Sequence, residues 1–242
     1  MMRKFGLIGF PLTHSFSRNY FTELFSAEGI DAIYENFPLA KIDELVALCK
    51  DPLLEGLNVT IPYKEAVLAY LDDVSEAVKE IGACNCIRIQ NGRKIGYNTD
   101  VIGFEKTLDV KLKPSHKKAL VLGSGGAAKA VCYVLKKKKI PYLQVSRNSD
   151  SGKIPYASID ADIMYAHTLI INTTPLGMYP NVDECPDIPY DLITSEHYLY
   201  DLIYNPSKTT FLKKGEEKGA VVENGAKMLV IQANESRKIW MV

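Results

Sequence analysis

The sequence predicts an α/β protein of two domains, the first with a mostly parallel sheet. Three observations carry that reading. Strand-like and helix-like apolar patterns alternate along the 242 residues, the arrangement of parallel sheets covered by helices. A polar connector, 111–118, interrupts the alternation at Pro114 and marks a domain boundary. Beyond it the apolar strand Ala119–Leu122 runs straight into Gly123-Ser124-Gly125-Gly126 and a new helix.

In chain order, Phe5–Phe10 reads as a short strand ended by Pro11. Phe16, Tyr20 and Leu24, with Phe21 and Phe25 beside them, form an i, i+4 helical stripe. Ser15 or Ser17 could cap that helix. Strands are expected over 33–37 and 57–60, and a helix over 42–49. Pro62 occupies the favoured first position of a helix beginning near Tyr63. Asn91-Gly92, between 86–90 and 94–97, is a hairpin signal. A helix follows over 102–108. Past the connector come strand 119–122, helix 127–135, strands 142–146, 169–172, 198–201 and 221–223, and a helix from about Met228 to Trp240.

Composition excludes several classes. Lys+Arg and Asp+Glu are 29 each, so the formal charge is zero. Nothing pulls the whole chain towards nucleic acid or an anionic membrane surface. No run of about 18 apolar residues could span a bilayer, and the opening residues lack a signal-peptide layout. The expectation is a cytoplasmic protein. Five cysteines without a C-x-x-C pair, and four histidines without ligand spacing, predict neither a disulfide framework nor a metal site.

The glycine-rich turn predicts dinucleotide binding. Gly123 and Gly125 let backbone approach a pyrophosphate with no Cβ in the way. The helix opening at Gly126 and Ala127 presents free N–H groups and its positive dipole end. At the end of the second strand, Ser146-Arg147-Asn148 offers an arginine where a carboxylate would select NAD. That favours the 2′-phosphate of NADP.

Three polar clusters stand where strands end in the first half. His14-Ser15-Phe16-Ser17 puts two hydroxyls beside a helix start, suited to an anion such as a carboxylate or to plain N-capping. Asn58-Val59-Thr60 places two polar groups on one face at a strand end. Lys64 follows in what reads as the first turn of a helix, a position its charge disfavours, which suggests a functional reason. Gly96-Tyr97-Asn98-Thr99-Asp100 ends a strand and sets a carboxylate at a helix start.

These clusters, in this order, resemble the shikimate dehydrogenase family. The likeness rests on Gly9-Phe10-Pro11 with His14 to Ser17, Asn58-Val59-Thr60 with Lys64, Gly82 to Asn85, Gly96 to Asp100, Gly123 to Ala127, Asn172 to Met178, Asp201 to Pro206, and Glu223 to Ala233. It implies an oxidoreductase of the shikimate pathway, in aromatic amino acid biosynthesis, that reversibly reduces 3-dehydroshikimate to shikimate with NADPH. It implies a substrate domain, 1–101 plus 227–242, and a Rossmann-like NADP domain, 102–226, with the active site in the cleft between them. Ser15 and Ser17 would bind the substrate carboxylate. Asn58, Thr60, Asn85, Asp100 and Gln232 would hold its hydroxyls, with Lys64 catalytic beside Asp100. Gly123, Gly125, Gly126 and Ala127 would line the pyrophosphate and Arg147 the 2′-phosphate. Thr173, Tyr204, Gly225 and Met228 would flank the nicotinamide. Lys64 could transfer the proton, or stabilise a developing alkoxide. The expected partner is a small molecule, and the expected assembly a monomer or homodimer.

Some positions depart from the family pattern. Ser151 replaces a second arginine, leaving Lys153 as a substitute and making dual cofactor use conceivable. Cys84 and Cys86 replace valine and threonine around Asn85, modest changes on what reads as a strand, and Lys129 replaces arginine. A quinate/shikimate dehydrogenase with relaxed substrate choice and a non-catalytic nucleotide-binding relative are the alternatives. Ser17 argues against the first, and Lys64 with Asp100 against the second.

Overall fold

The structure is a computed structural model that describes residues 2–12, 16–147 and 152–241. Its strands are β1 (Arg3–Gly9), β2 (Ala32–Pro38), β3 (Leu54–Val59), β4 (Asp73–Val74), β5 (Cys86–Gln90), β6 (Arg93–Tyr97), β7 (Ala119–Leu122), β8 (Tyr142–Val145), β9 (Lys153–Ile154), β10 (Leu169–Asn172), β11 (Tyr198–Asp201) and β12 (Val221–Glu223). Its helices are α1 (Phe16–Ala27), α2 (Leu45–Leu48), α3 (Glu76–Ile81), α4 (Asp100–Leu108), α5 (Gly126–Lys137), α6 (Ala161–Ala166), α7 (Thr210–Glu217) and α8 (Ala226–Trp240). The chain divides into two compact units, Met1–Thr99 with Ala233–Val242, and Asp100–Gln232. No helix among the described residues is long and apolar enough to cross a membrane.

The first unit holds a mixed six-stranded sheet in the order β2-β1-β3-β5-β6-β4. β1 runs parallel to β2 and β3, and β5 and β6 form an antiparallel hairpin. Asn91 and Gly92 turn that hairpin at φ 52° and 75°, the left-handed pair a two-residue turn requires. Phe5, Phe21, Phe25, Tyr34 and Trp240 pack as one buried aromatic cluster. Trp240 stacks on Phe5 with ring centroids 4.9 Å apart and donates its indole N–H to the Ile87 carbonyl at 3.0 Å. Gly56 makes room for it, because a Cβ there would run into the indole ring.

The second unit is built on a wholly parallel sheet, β12-β11-β10-β7-β8-β9. Its central strands β7 and β10 are buried along their whole length. That is why they read as continuous apolar runs rather than alternating ones.

Three expectations need correction. No α-helix starts near Tyr63: residues 61–65 form turns, and a 3-10 segment covers Ala66–Tyr70. Lys64 therefore sits in a turn, and the helix-dipole argument for it does not apply. The stretch 42–49 is a 3-10 turn, Ile42–Glu44, followed by the short α2. Cys84 precedes β5 rather than lying on it, although both it and Cys86 are buried.

Candidate functional site

In the first unit the polar residues gather where β1 and β3 end. The Thr60 amide donates to the Ile8 carbonyl at 2.9 Å, and a Cβ on Gly9 would collide with the Thr60 methyl. Asn58 and Asn85 are 5% and 3% exposed, far below what unpaired amides tolerate. The Asn85 carbonyl accepts from the Val59 amide at 2.9 Å and from Asn58 Nδ2 at 3.3 Å. The Thr99 amide donates to Asn85 Oδ1 at 2.7 Å, and Asp100 follows Thr99 directly. The Lys64 carbonyl accepts from the Cys84 amide at 2.7 Å, which brings the backbone of half-buried Lys64 beside the 83–85 segment. Asn58, Thr60, Lys64 and Asn85 are thus drawn together by backbone pairing. Ser17 lies in the first turn of α1, while Ser15 lies outside the described residues.

In the second unit the expected cofactor residues sit at the carboxyl ends of adjacent parallel strands, where open α/β sheets bind ligands. Gly123 follows β7 at φ 115°, a conformation costly for any residue with a side chain. A Cβ there would lie 2.5 Å from Thr173 Oγ1. Gly125 caps α5 with no side-chain hydrogen bond, and its Cα faces open space. The first N–H groups of α5, at Gly126 and Ala127, are therefore left to an incoming acceptor. A pyrophosphate fits such a turn. Arg147, two residues past β8, is exposed. Its charge opposes the upward push that burial gives the Tyr156 phenol.

Thr173 follows β10 and donates its hydroxyl to the Leu122 carbonyl at 2.7 Å. Tyr204 lies beyond β11 and is exposed. Gly225 follows β12, and a Cβ on it would strike the Leu202 carbonyl. Met228 and Gln232, both on α8, are 7% and 9% exposed, and Gln232 Nε2 donates to the Leu229 carbonyl at 2.9 Å. Asp100 opens α4 and is 7% exposed.

Four residues that the motifs left without an individual role support these positions. Asp201, fully buried at the end of β11, accepts from Asn172 Nδ2 at 3.1 Å, the Ile203 amide at 3.1 Å and the Thr209 hydroxyl at 2.6 Å. Burial pushes its carboxyl up to about 6, with the three hydrogen bonds pulling the other way. Asn172 in turn accepts from the Thr174 amide and hydroxyl at 3.0 and 2.7 Å. The loops carrying Thr173 and Tyr204 thus hang from one buried carboxylate. In the first unit, Tyr34 and Ser236 hydrogen-bond to Asn58 at 2.9 Å each. Of Tyr34 and Ser236, the second alone has a local cue, four positions after Gln232 and so on the same helical face.

A wholly parallel sheet with this glycine turn, and with the expected cofactor residues at its carboxyl edge, is the architecture of the Rossmann-like nucleotide-binding class. Residues 7–87 match the model of the shikimate dehydrogenase substrate binding domain. The shikimate dehydrogenase (NADP(+)) of Caldicellulosiruptor saccharolyticus is 39% identical over 99% of this chain and 92% of its own. The crystal structure of shikimate dehydrogenase from Aquifex aeolicus is 35% identical and superposes with a TM-score of 0.88, covering 99% of this chain and 92% of that one. The Thermus thermophilus enzyme, solved in complex with NADP(H) and shikimate, is 30% identical, with a TM-score of 0.88 over 99% and 93% of the two chains. The chain belongs to the shikimate dehydrogenase family.

Proposed function

We propose that this protein catalyses the reversible NADPH-dependent reduction of 3-dehydroshikimate to shikimate, in the cytoplasm, as a monomer or homodimer. The supporting observation is family membership along 99% of the chain, with an amine at Lys64 and a carboxylate at Asp100 retained. Residues 1–101 with 227–242 serve as the substrate domain and 102–226 as the nucleotide domain. When bound, the cofactor supplies a hydride donor and acceptor at its nicotinamide ring.

The chain's own residues do the rest. Ser15 and Ser17 hold the substrate carboxylate by donated hydrogen bonds, each stronger for its charged acceptor. Asn58, Thr60, Asn85, Asp100 and Gln232 orient the ring through its hydroxyls, fixing which carbon faces the nicotinamide. Lys64, beside Asp100, accepts the hydroxyl proton during oxidation and returns it during reduction, or holds the oxygen's developing negative charge. Gly123, Gly125, Gly126 and Ala127 receive the pyrophosphate, Arg147 the 2′-phosphate, and Thr173, Tyr204, Gly225 and Met228 the nicotinamide half.

The test is absorbance at 340 nm after shikimate and NADP+ are added to purified protein. Growth of the NADPH band supports the proposal. A flat trace with shikimate, alongside turnover of quinate, would replace it with the quinate reading.

A further inference from the structure

The substrate-side residues of the first unit are joined in one buried hydrogen-bonded chain. Tyr34, on β2, is 3% exposed, and its phenol is 2.9 Å from Asn58 Oδ1. Asn58 Nδ2 reaches Ser236 Oγ at 2.9 Å and the Asn85 carbonyl at 3.3 Å. Ser236, fully buried on α8, lies 3.2 Å from Thr99 Oγ1. Thr99 Oγ1 is in turn 3.0 Å from Asn85 Nδ2 and 3.2 Å from Asn85 Oδ1.

The direction of this chain is fixed at two points. A backbone carbonyl can only accept, so the Asn85 carbonyl sets Asn58 Nδ2 on its side and leaves Asn58 Oδ1 facing Tyr34, which must donate. The Thr99 amide can only donate, which sets Asn85 Oδ1 towards it. Both amide hydrogens of Asn58 are then engaged, and its oxygen keeps one free lone pair. Asn58 can offer a substrate hydroxyl an acceptor but no donor.

We propose that Tyr34 and Ser236 are positioning residues of the substrate site: Tyr34 fixes the Asn58 side-chain oxygen, and Ser236 ties Asn58 to the Thr99–Asn85 pair. The proposal rests on the reading that Asn58 and Asn85 hold the substrate. Neither Tyr34 nor Ser236 touches the substrate. They make Asn58 and Asn85 one unit for recognising the ring hydroxyls, because a buried chain of hydrogen bonds strengthens or weakens as a unit. Removing either hydroxyl leaves an Asn58 amide group short of a partner inside the fold.

The experiment compares initial rates of the unmodified protein, Tyr34→Phe, Ser236→Ala and the double variant, varying shikimate and NADP+ separately and recording the melting temperature of each. Phenylalanine keeps the stack of Tyr34 on Phe21, whose ring centroids are 4.6 Å apart, and Ser236→Ala removes a single oxygen. The expected result is a KM for shikimate raised about tenfold in each single variant, with the KM for NADP+ within twofold. The double variant should fall short of the product of the two, as coupled groups do. A purely structural role would lower the melting temperature and leave both KM values in place. Shikimate KM values within twofold of the unmodified protein in both single variants, or equal losses for the two ligands, would overturn the proposal. An unmodified protein that does not oxidise shikimate overturns the functional reading and this proposal with it, a result visible before any substitution is made.

Discussion

The Thr209 hydroxyl donates to Asp201 Oδ2 at 2.6 Å, so the residue that caps α7 also satisfies the buried carboxylate at the end of β11. One side chain serves two elements. Thr209 Oγ1 accepts from the Leu212 amide at 3.4 Å while giving its proton to Asp201.

Burial raises the Asp201 carboxyl from 3.8 to about 6. A raised acid favours the folded state below its unfolded value, and that contribution is lost as pH rises through the folded one. The window runs from pH 3.8 to about 6, and a shift of this size is worth roughly 3 kcal/mol. Asp201→Asn cannot ionise, so the unmodified protein should lose stability relative to that variant across the window and run parallel to it above. Urea midpoints at half-unit intervals check this. A difference that ignores pH sinks it.

His116, His167 and His197 are all buried, and burial holds the imidazoles of all three below the ordinary 6.5. A depressed base contributes stability above its unfolded value and loses it as pH falls through the folded one. Acidification below about pH 6.5 should therefore weaken the second unit. Ring-proton shifts in an NMR titration should show all three titrating below the ordinary 6.5. Midpoints at or above 6.5 would contradict the burial argument.

Gly123 and Gly125 should separate strain from ligand contact. Gly123→Ala places a Cβ at φ 115° and 2.5 Å from Thr173 Oγ1, which costs about 1–3 kcal/mol of stability and disturbs the cofactor turn. Gly125→Ala meets nothing within 4 Å and should melt like the unmodified protein. Calorimetric titration should nonetheless find NADP+ affinity reduced at least about tenfold in both. Undiminished affinity in Gly125→Ala would remove the pyrophosphate from this turn.

Lys64→Ala should lower kcat by about 10²-fold or more with little change in the KM for NADP+. Arg147→Ala should do the reverse, raising the KM for NADP+ while leaving that for NAD+ nearly unchanged. Steady-state kinetics with both cofactors reads the two together. An unchanged kcat in the first variant, or equal effects on both cofactors in the second, would refute the respective role.

Trp240 is 2% exposed within the aromatic cluster of the first unit. Trp240→Ala should cost about 3–5 kcal/mol, read as a lower urea midpoint. A loss below about 1 kcal/mol would mean that the helix end is not an integral part of that core.

Local signals were legible in the sequence where a few adjacent residues decide the outcome. Asn91-Gly92 dictated the hairpin, and Ala119 to Ala128 dictated strand, turn and helix. Pro62 misled because its favoured place at a helix start says nothing about whether a helix follows. Residues 61–65 are instead held by tertiary pairing, with Lys64 bonded through its carbonyl to Cys84. The short α6 and α7 were missed although Asp160 and Thr209 cap them, since six and eight residues carry too little periodicity. The candidate residues Asn58, Thr60, Lys64 and Asn85 could be named from motif order. Tyr34 and Ser236 could not, because the Asn58–Ser236 contact joins positions 178 apart, and no local pattern encodes a partner that distant.

The Gly56–Trp240 fit also sets a timetable for synthesis. The ribosome delivers residues 1–99 first, yet their core lacks its indole and the Ser236 hydroxyl until the whole of the second unit has been translated. Until then Phe5, Phe21 and Tyr34 lack the indole they pack against, and uncovered apolar surface of that kind invites wrong partners. The segment made earliest is thus among the last to mature, and the unit assigned to the cofactor can be complete before the one assigned to the substrate.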